Sequence, residues 1–181
     1  DLPAGKQVVT RWNPGRTIHY KINPGRLGAT GISEVKTGIS RLTAASGLVF
    51  AYDGTTTYVP HATANTTETH NGQTYRHWDS HDQRNRTHTD MVISWITSKG
   101  SNIYYASEYG QGGYVASSNS STSAQITDGY ALLRSDTGAA AGFGTGNHRG
   151  ITILHELGHV VGLDHYNDPV MVMNPVSGRQ S

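Results

Sequence analysis

The chain has 181 residues, 35% of them hydrophobic, which suits one domain with a modest core. Fourteen basic residues against thirteen acidic leave a formal net charge of +1 with no block of like charge, so nothing electrostatic invites nucleic acid or a membrane surface. No apolar run approaches the roughly 18 residues of a membrane span. With no cysteine there are no disulfides, thiolate ligands or thiol nucleophile.

The chain begins at Asp1, which fits a mature form released from a longer precursor or a trimmed piece of one. Its 22 glycines, many Ser, Thr, Asn and Tyr and few lysines lean towards a secreted, extracellular protein. The first readable element is the strand "TIHYKI", where Ile18, Tyr20 and Ile22 alternate with polar residues. After the turn "NPG", the run "GISEVKTGISRLTAASG" predicts a helix on Ile32, Val35, Ile39 and Leu42, ended by Gly47. "LVFAY" (48–52) reads as a short buried strand.

Residues 60–89 are polar, show neither period, hold five of the ten histidines and read as a long functional or mobile loop. "DMVISWI" (90–96) resumes strand character, and "GGYVASS" (112–118) is a further strand. In "AQITDGYALLRS" (124–135), Asp128-Gly129 either turns a hairpin or lies within one strand. "GAAAGFGTG" (138–146) is a small-residue approach to a last helix that starts near Asn147 or His148. Leu154, Leu157 and Val161 are expected on its sheet-facing side. This order predicts an α/β (α+β) domain with a twisted mixed sheet of about five strands and two main helices.

The last helix carries the chemistry, in "HELGHVVGLDH". At about 100° per residue, His155 and His159 share one helix face and can reach one ion. Glu156 lies beside the first of them, where it can take a proton from a water on that ion. Gly162 can adopt positive φ, stop the helix and swing the chain back so that His165 completes a facial triad. Five fixed residues at these spacings arise by chance on the order of 10⁻⁸ to 10⁻⁷ per starting position. The ion such a ligand set favours is Zn²⁺, with three protein ligands and an open position.

This stretch matches H-E-x-x-H-x-x-G-x-x-H and is followed by "NDPVMVMNP" (167–175), so the chain resembles the metzincin metallopeptidases, closest to matrixin-like catalytic domains. On that match Asp168, Pro169, Met173 and Pro175 carry over, Met173 being the methionine of the turn and Met171 its competitor. "RWNPGRTIHYKI" and "TDMVISW" resemble the first and third strands of such domains. The resemblance implies a single catalytic domain over 1–181, with an upper subdomain of about 1–162 and a lower one of about 163–181. It implies a zinc endopeptidase using Glu156 as general base and acid, His155, His159 and His165 as zinc ligands, and a monomer. Its polypeptide substrate would lie extended along a sheet edge near "GGYVASS". Astacins and serralysins carry a tyrosine where this chain has Pro175, and snapalysins an aspartate at His165. Tyr166 departs from the usual serine after the third histidine. Only sixteen residues follow His165, fewer than the C-terminal helix of metzincins needs, so the chain is expected either to continue or to have a small lower subdomain.

Two other readings compete: a catalytically silent binding domain, and zinc held for structure only with Asp164 or Asp168 as fourth ligand. His70, His77, His81 and His88, with Asp79 and Asp82, could hold a second ion, Zn²⁺ or Ca²⁺. Asp53, Asp90 and Asp128 read as turn or strand-end residues. Asn65, Asn85 and Asn119 begin N-glycosylation sequons.

Overall fold

The computed structural model describes residues 9–104, 108–118, 120, 122–144 and 146–175. Eight strands, β1 (Val9–Arg11), β2 (Ile18–Asn23), β3 (Phe50–Thr55), β4 (Thr67–His70), β5 (Gln73–Arg76), β6 (Met91–Ile96), β7 (Gly110–Ser118) and β8 (Ser123–Arg134), accompany three α-helices. These are α1 (Gly28–Ser46), α2 (Ser80–Thr87) and α3 (Arg149–Val160). The main sheet has six strands in the order β1-β8-β6-β2-β3, with β7 antiparallel along the other side of β8. The other pairings are parallel, so the sheet is mixed.

Sequence pattern explains the layers. In β6, Met91, Ile93 and Trp95 face one side and join Val35 and Ile39 of α1 and Ile153, Leu157 and Val160 of α3 in the larger core. Ile96 of β6, with Tyr130 and Leu132 of β8, faces the other side and packs with Ala62, Ile103 and Tyr104. A strand buried on both faces needs apolar residues throughout, and β6 reads that way. Ile18, Tyr20 and Ile22 of β2 are buried as their alternation predicts. Helix α1 ends at Gly47 in the left-handed conformation.

The structure corrects the reading of residues 60–89. They form a 3-10 turn at Ala64–Thr66, the two-stranded hairpin β4–β5, and helix α2, laid over the second face of the sheet. Trp78 stacks on Tyr130 with ring centroids 4.7 Å apart. Helix α2 buries Gln83 and Thr87 rather than aliphatic side chains, and Gln83 Nε2 donates to the Gly129 carbonyl at 3.0 Å. A helix buried through polar side chains leaves no hydrophobic period to read. Asp128-Gly129 lies inside β8, opposite a register shift between Val115 and Ala116 of β7, so no hairpin forms there. Asn119 and residues 176–181 lie outside the described residues; Asn65 and Asn85 are exposed.

The face of α3 also differs from expectation by one position. Ile153, Leu157 and Val160 are 0–1% exposed and Leu154 is only half-buried. Ile153 turns towards α1, where Gly38 has no side chain to hold it off. Each of these three buried aliphatics contributes roughly 1.5–3 kcal/mol, and together they seat the helix that carries the histidines.

Candidate metal centre and active site

Helix α3 is fixed at both ends. At its start, Arg149 Nε donates to Glu34 Oε2 at 2.9 Å, and Glu34 Oε1 accepts from Gly142 N at 2.6 Å. At its end, the buried Trp12 indole donates to the Val160 carbonyl at 2.9 Å. Past Val160 the chain closes a Schellman motif: Leu163 N–H donates to the Gly158 carbonyl and Gly162 N–H to the His159 carbonyl, both at 3.0 Å. Gly162 holds φ at +95°, and a Cβ there would sit 2.8 Å from the Thr10 carbonyl oxygen. Gly162→Ala is therefore expected to destabilise the chain by about 1–2 kcal/mol and to weaken zinc binding, because His165 follows three residues later and its placement depends on this turn. Thermal melts and a zinc titration on the variant check both effects.

This turn brings His165 back over the helix. The Nε2 atoms of His155, His159 and His165 form a near-equilateral triangle with sides of 3.2, 3.2 and 3.1 Å. Hydrogen bonds do not account for that triangle. His155 Nδ1 donates to the Val172 carbonyl and His159 Nδ1 to the Leu163 carbonyl, both at 2.8 Å, so each neutral ring keeps a bare lone pair on Nε2. Burial, the leading cause, holds both imidazoles below the usual histidine pKa and favours that neutral form. Lone pairs converging at such distances repel unless a cation sits among them. With zinc–nitrogen bonds of about 2.0–2.1 Å, this triangle gives nitrogen–zinc–nitrogen angles of about 100°, near tetrahedral. The residues fit the ion.

Among the described residues these three histidines are the one group of three or more ligating side chains close enough to share an ion. Asp164 and Asp168 do not join it; Asp168 Oδ1 accepts instead from Val170 N at 3.0 Å. The structure likewise does not gather the six residues considered for a second ion. His70 and His77 flank Glu68 on the exposed hairpin at 3.5 and 3.6 Å, and His88 ends α2 in the left-handed conformation. Asp79 caps α2, accepting from Asp82 N and the Thr63 hydroxyl, while Asp82 is held by Arg86 and Tyr58. The carboxylates of that cluster are spent on closing and capping a helix. Asp53, Asp90 and Asp128 pair with His19, Arg16 and Arg84 respectively.

Beneath the triad, Met173 is buried and its sulfur packs on Gly158, whereas Met171 is 49% exposed. Tyr166 N–H donates to the Met173 carbonyl at 2.9 Å, closing the loop from 166 to 173, and the Tyr166 side chain is exposed.

A cleft of about 540 Å³ opens over the triad. The three histidines, Glu156 and Pro175 form part of its wall, and residues 108–112, where β7 begins, form the rest. Strand β7 has β8 on one side only and is the edge of the sheet. Arg134 N–H donates to the Tyr109 carbonyl, and the register continues as Gly110 opposite Leu133. By antiparallel alternation, Gly110 and Gly112 then direct their backbone groups to the open edge. Glycine at both positions answers to close approach: a Cβ at Gly110 would lie 2.6 Å from Glu156 Oε1, and one at Gly112 would meet the Glu156 carbonyl oxygen. Glu156 itself is 6% exposed. Burial, reinforced by the nearby Glu108 carboxylate and opposed by the Gly112 N–H, pushes it up to about 8 in the metal-free chain. A dication in the triad would favour its ionised form again.

The matrixin family model matches residues 33–181, most of the chain. The chain belongs to the matrixin family. Membership makes this matrixin a member of a family of zinc-dependent metallopeptidases, hydrolases that act on polypeptides, and its mixed sheet and three helices are consistent with that fold. The matched span begins inside α1, so β1 and β2 precede it. Among curated proteins none matches significantly. No helix of the described residues is long and apolar enough to cross a membrane. The histidines and Glu156 stand out in this matrixin's sequence, but Glu108, Gly110 and Gly112 do not. The readable trace of the last two is glycine at alternate positions of a strand, a mark of close backbone approach.

Proposed function

We propose that this matrixin is a zinc endopeptidase in which His155, His159 and His165 hold the metal and Glu156 moves the protons. The observation that carries the reading is the triangle of three converging Nε2 atoms with no fourth ligand beside it among the described residues, facing a cleft floored by a buried glutamate. Three ligands and an open position are the pattern of catalytic rather than structural zinc.

Zinc, when bound, lowers the pKa of a water to about 7 and polarises a carbonyl. The chain's own residues do the rest. The edge at Gly110 and the Gly112 carbonyl take an extended peptide as an added strand, through backbone groups the sheet leaves open. Glu156 accepts a proton from the attacking water and delivers it to the leaving amide nitrogen. Its buried position keeps bulk water from competing for that proton. Secretion fits this reading, supported by the glycine- and hydroxyl-rich composition alone.

The test is metal removal and return. Chelator-treated protein should fail to hydrolyse an unfolded protein substrate, and one equivalent of zinc should restore the activity. Hydrolysis that survives complete zinc removal, or zinc-loaded protein that is inert, would refute the proposal.

A further inference from the structure

Glu108 is a second carboxylate in the cleft that the reaction does not use. It precedes β7, is exposed, and lines the same cavity as Glu156 and the triad. Its backbone is held from two sides: the Tyr104 hydroxyl donates to the Glu108 carbonyl, and Arg134 Nη1 donates to it at 3.2 Å. Its side chain forms no ion pair among the described residues, unlike Asp53, Asp90 and Asp128. Among the described residues, no lysine or arginine lines the cleft. Tyr109, also exposed and also lining it, offers an aromatic surface beside the carboxylate.

We propose that Glu108 is a specificity-determining residue that selects substrates with a lysine or arginine side chain next to the scissile bond. The inference rests on the peptidase reading above. Among the described residues, the Glu108 carboxylate at the start of the open edge is paired with no lysine or arginine side chain, and a substrate's ammonium or guanidinium group supplies that partner. The alkyl stem of that side chain lies on the tyrosine ring, as long basic side chains do on aromatic surfaces. Burial, opposed by His165, pushes the Glu108 carboxyl above its ordinary pKa.

The experiment compares paired peptides that differ only in carrying lysine or norleucine at each position flanking the cut, with zinc-loaded wild type and Glu108→Gln. The ratio of kcat/KM within a pair is the readout, because a general loss of activity leaves it untouched. Wild type should favour the lysine peptide by at least about tenfold at one position, as expected for a charged hydrogen bond, and Glu108→Gln should bring that ratio close to one. Binding of the same pairs to the non-cleaving Glu156→Gln protein, read by fluorescence anisotropy, should show the same preference and its loss on adding Glu108→Gln. Equal ratios in wild type, or a preference that survives in Glu108→Gln, would overturn the proposal. If zinc-loaded wild type cleaves nothing, the peptidase reading fails, and the anisotropy ratios still decide the role of Glu108.

Discussion

Glu156→Gln is expected to keep its zinc and lose hydrolysis by about 10²–10⁴ in kcat/KM, the usual worth of positioned acid–base catalysis. The amide has the shape of the carboxyl, so packing under Gly110 and Gly112 is preserved. It cannot accept a proton from water, so the step Glu156 performs has no substitute nearby. The alternative carboxylate, Glu108, is not among side chains close enough to share the ion. The fold should not suffer, because the site already disfavours the charged form of Glu156 when metal is absent. Zinc content by metal analysis and hydrolysis of a quenched peptide, measured on the same preparation, check both halves. A variant that has lost its zinc would show only that the centre was disturbed. One that keeps zinc and keeps cleaving would remove Glu156 from the mechanism.

His165→Ala should do the opposite, leaving the chain folded and the ion unbound. His165 is the exposed member of the triad, so its removal opens no core cavity. Zinc binding in small protein sites is worth about 10–16 kcal/mol, and one ligand in three is a loss of roughly 3–5 kcal/mol, or about 10²–10⁴ in affinity. Activity should fall with it at limiting zinc. Competition with a chromophoric chelator measures the affinity, and a thermal melt of the metal-free variant shows that the fold survives. His81→Ala, on the surface of α2 and outside the triad, should bind zinc as wild type does.

Why the site was so legible follows from covalent spacing. His155, Glu156 and His159 lie within little more than one helical turn, so the helix alone sets their relation. Gly162 sets the relation of His165 to them, and its φ of +95° is the conformation a glycine at that place suggests. The helix α1 and the strands around Ile18 and Met91 were readable because local period matched final burial, and α3 was readable as a helix although its buried face lies one position from the expected one. Where burial is polar, the period is silent. Gln83 and Thr87 are almost wholly buried yet look like surface residues, and so α2 read as loop. The same silence made a metal cluster out of Asp79 and Asp82, which in the fold cap α2 and tie Tyr58 and Arg86 to it. Long-range partners were out of reach altogether. Nothing local to Trp12 says that its indole will close on Val160, or that Glu34 will clamp the start of α3. Glu108 enters the cleft because β7 runs over Glu156, a relation no spacing records.

The most direct test of the account is X-ray absorption at the zinc edge of the loaded protein. Three imidazole nitrogens at about 2.0–2.1 Å and one light atom that exchanges when a hydroxamate is added would be the open, three-histidine centre described here. Four protein ligands that no added ligand displaces would make the zinc structural and contradict the account.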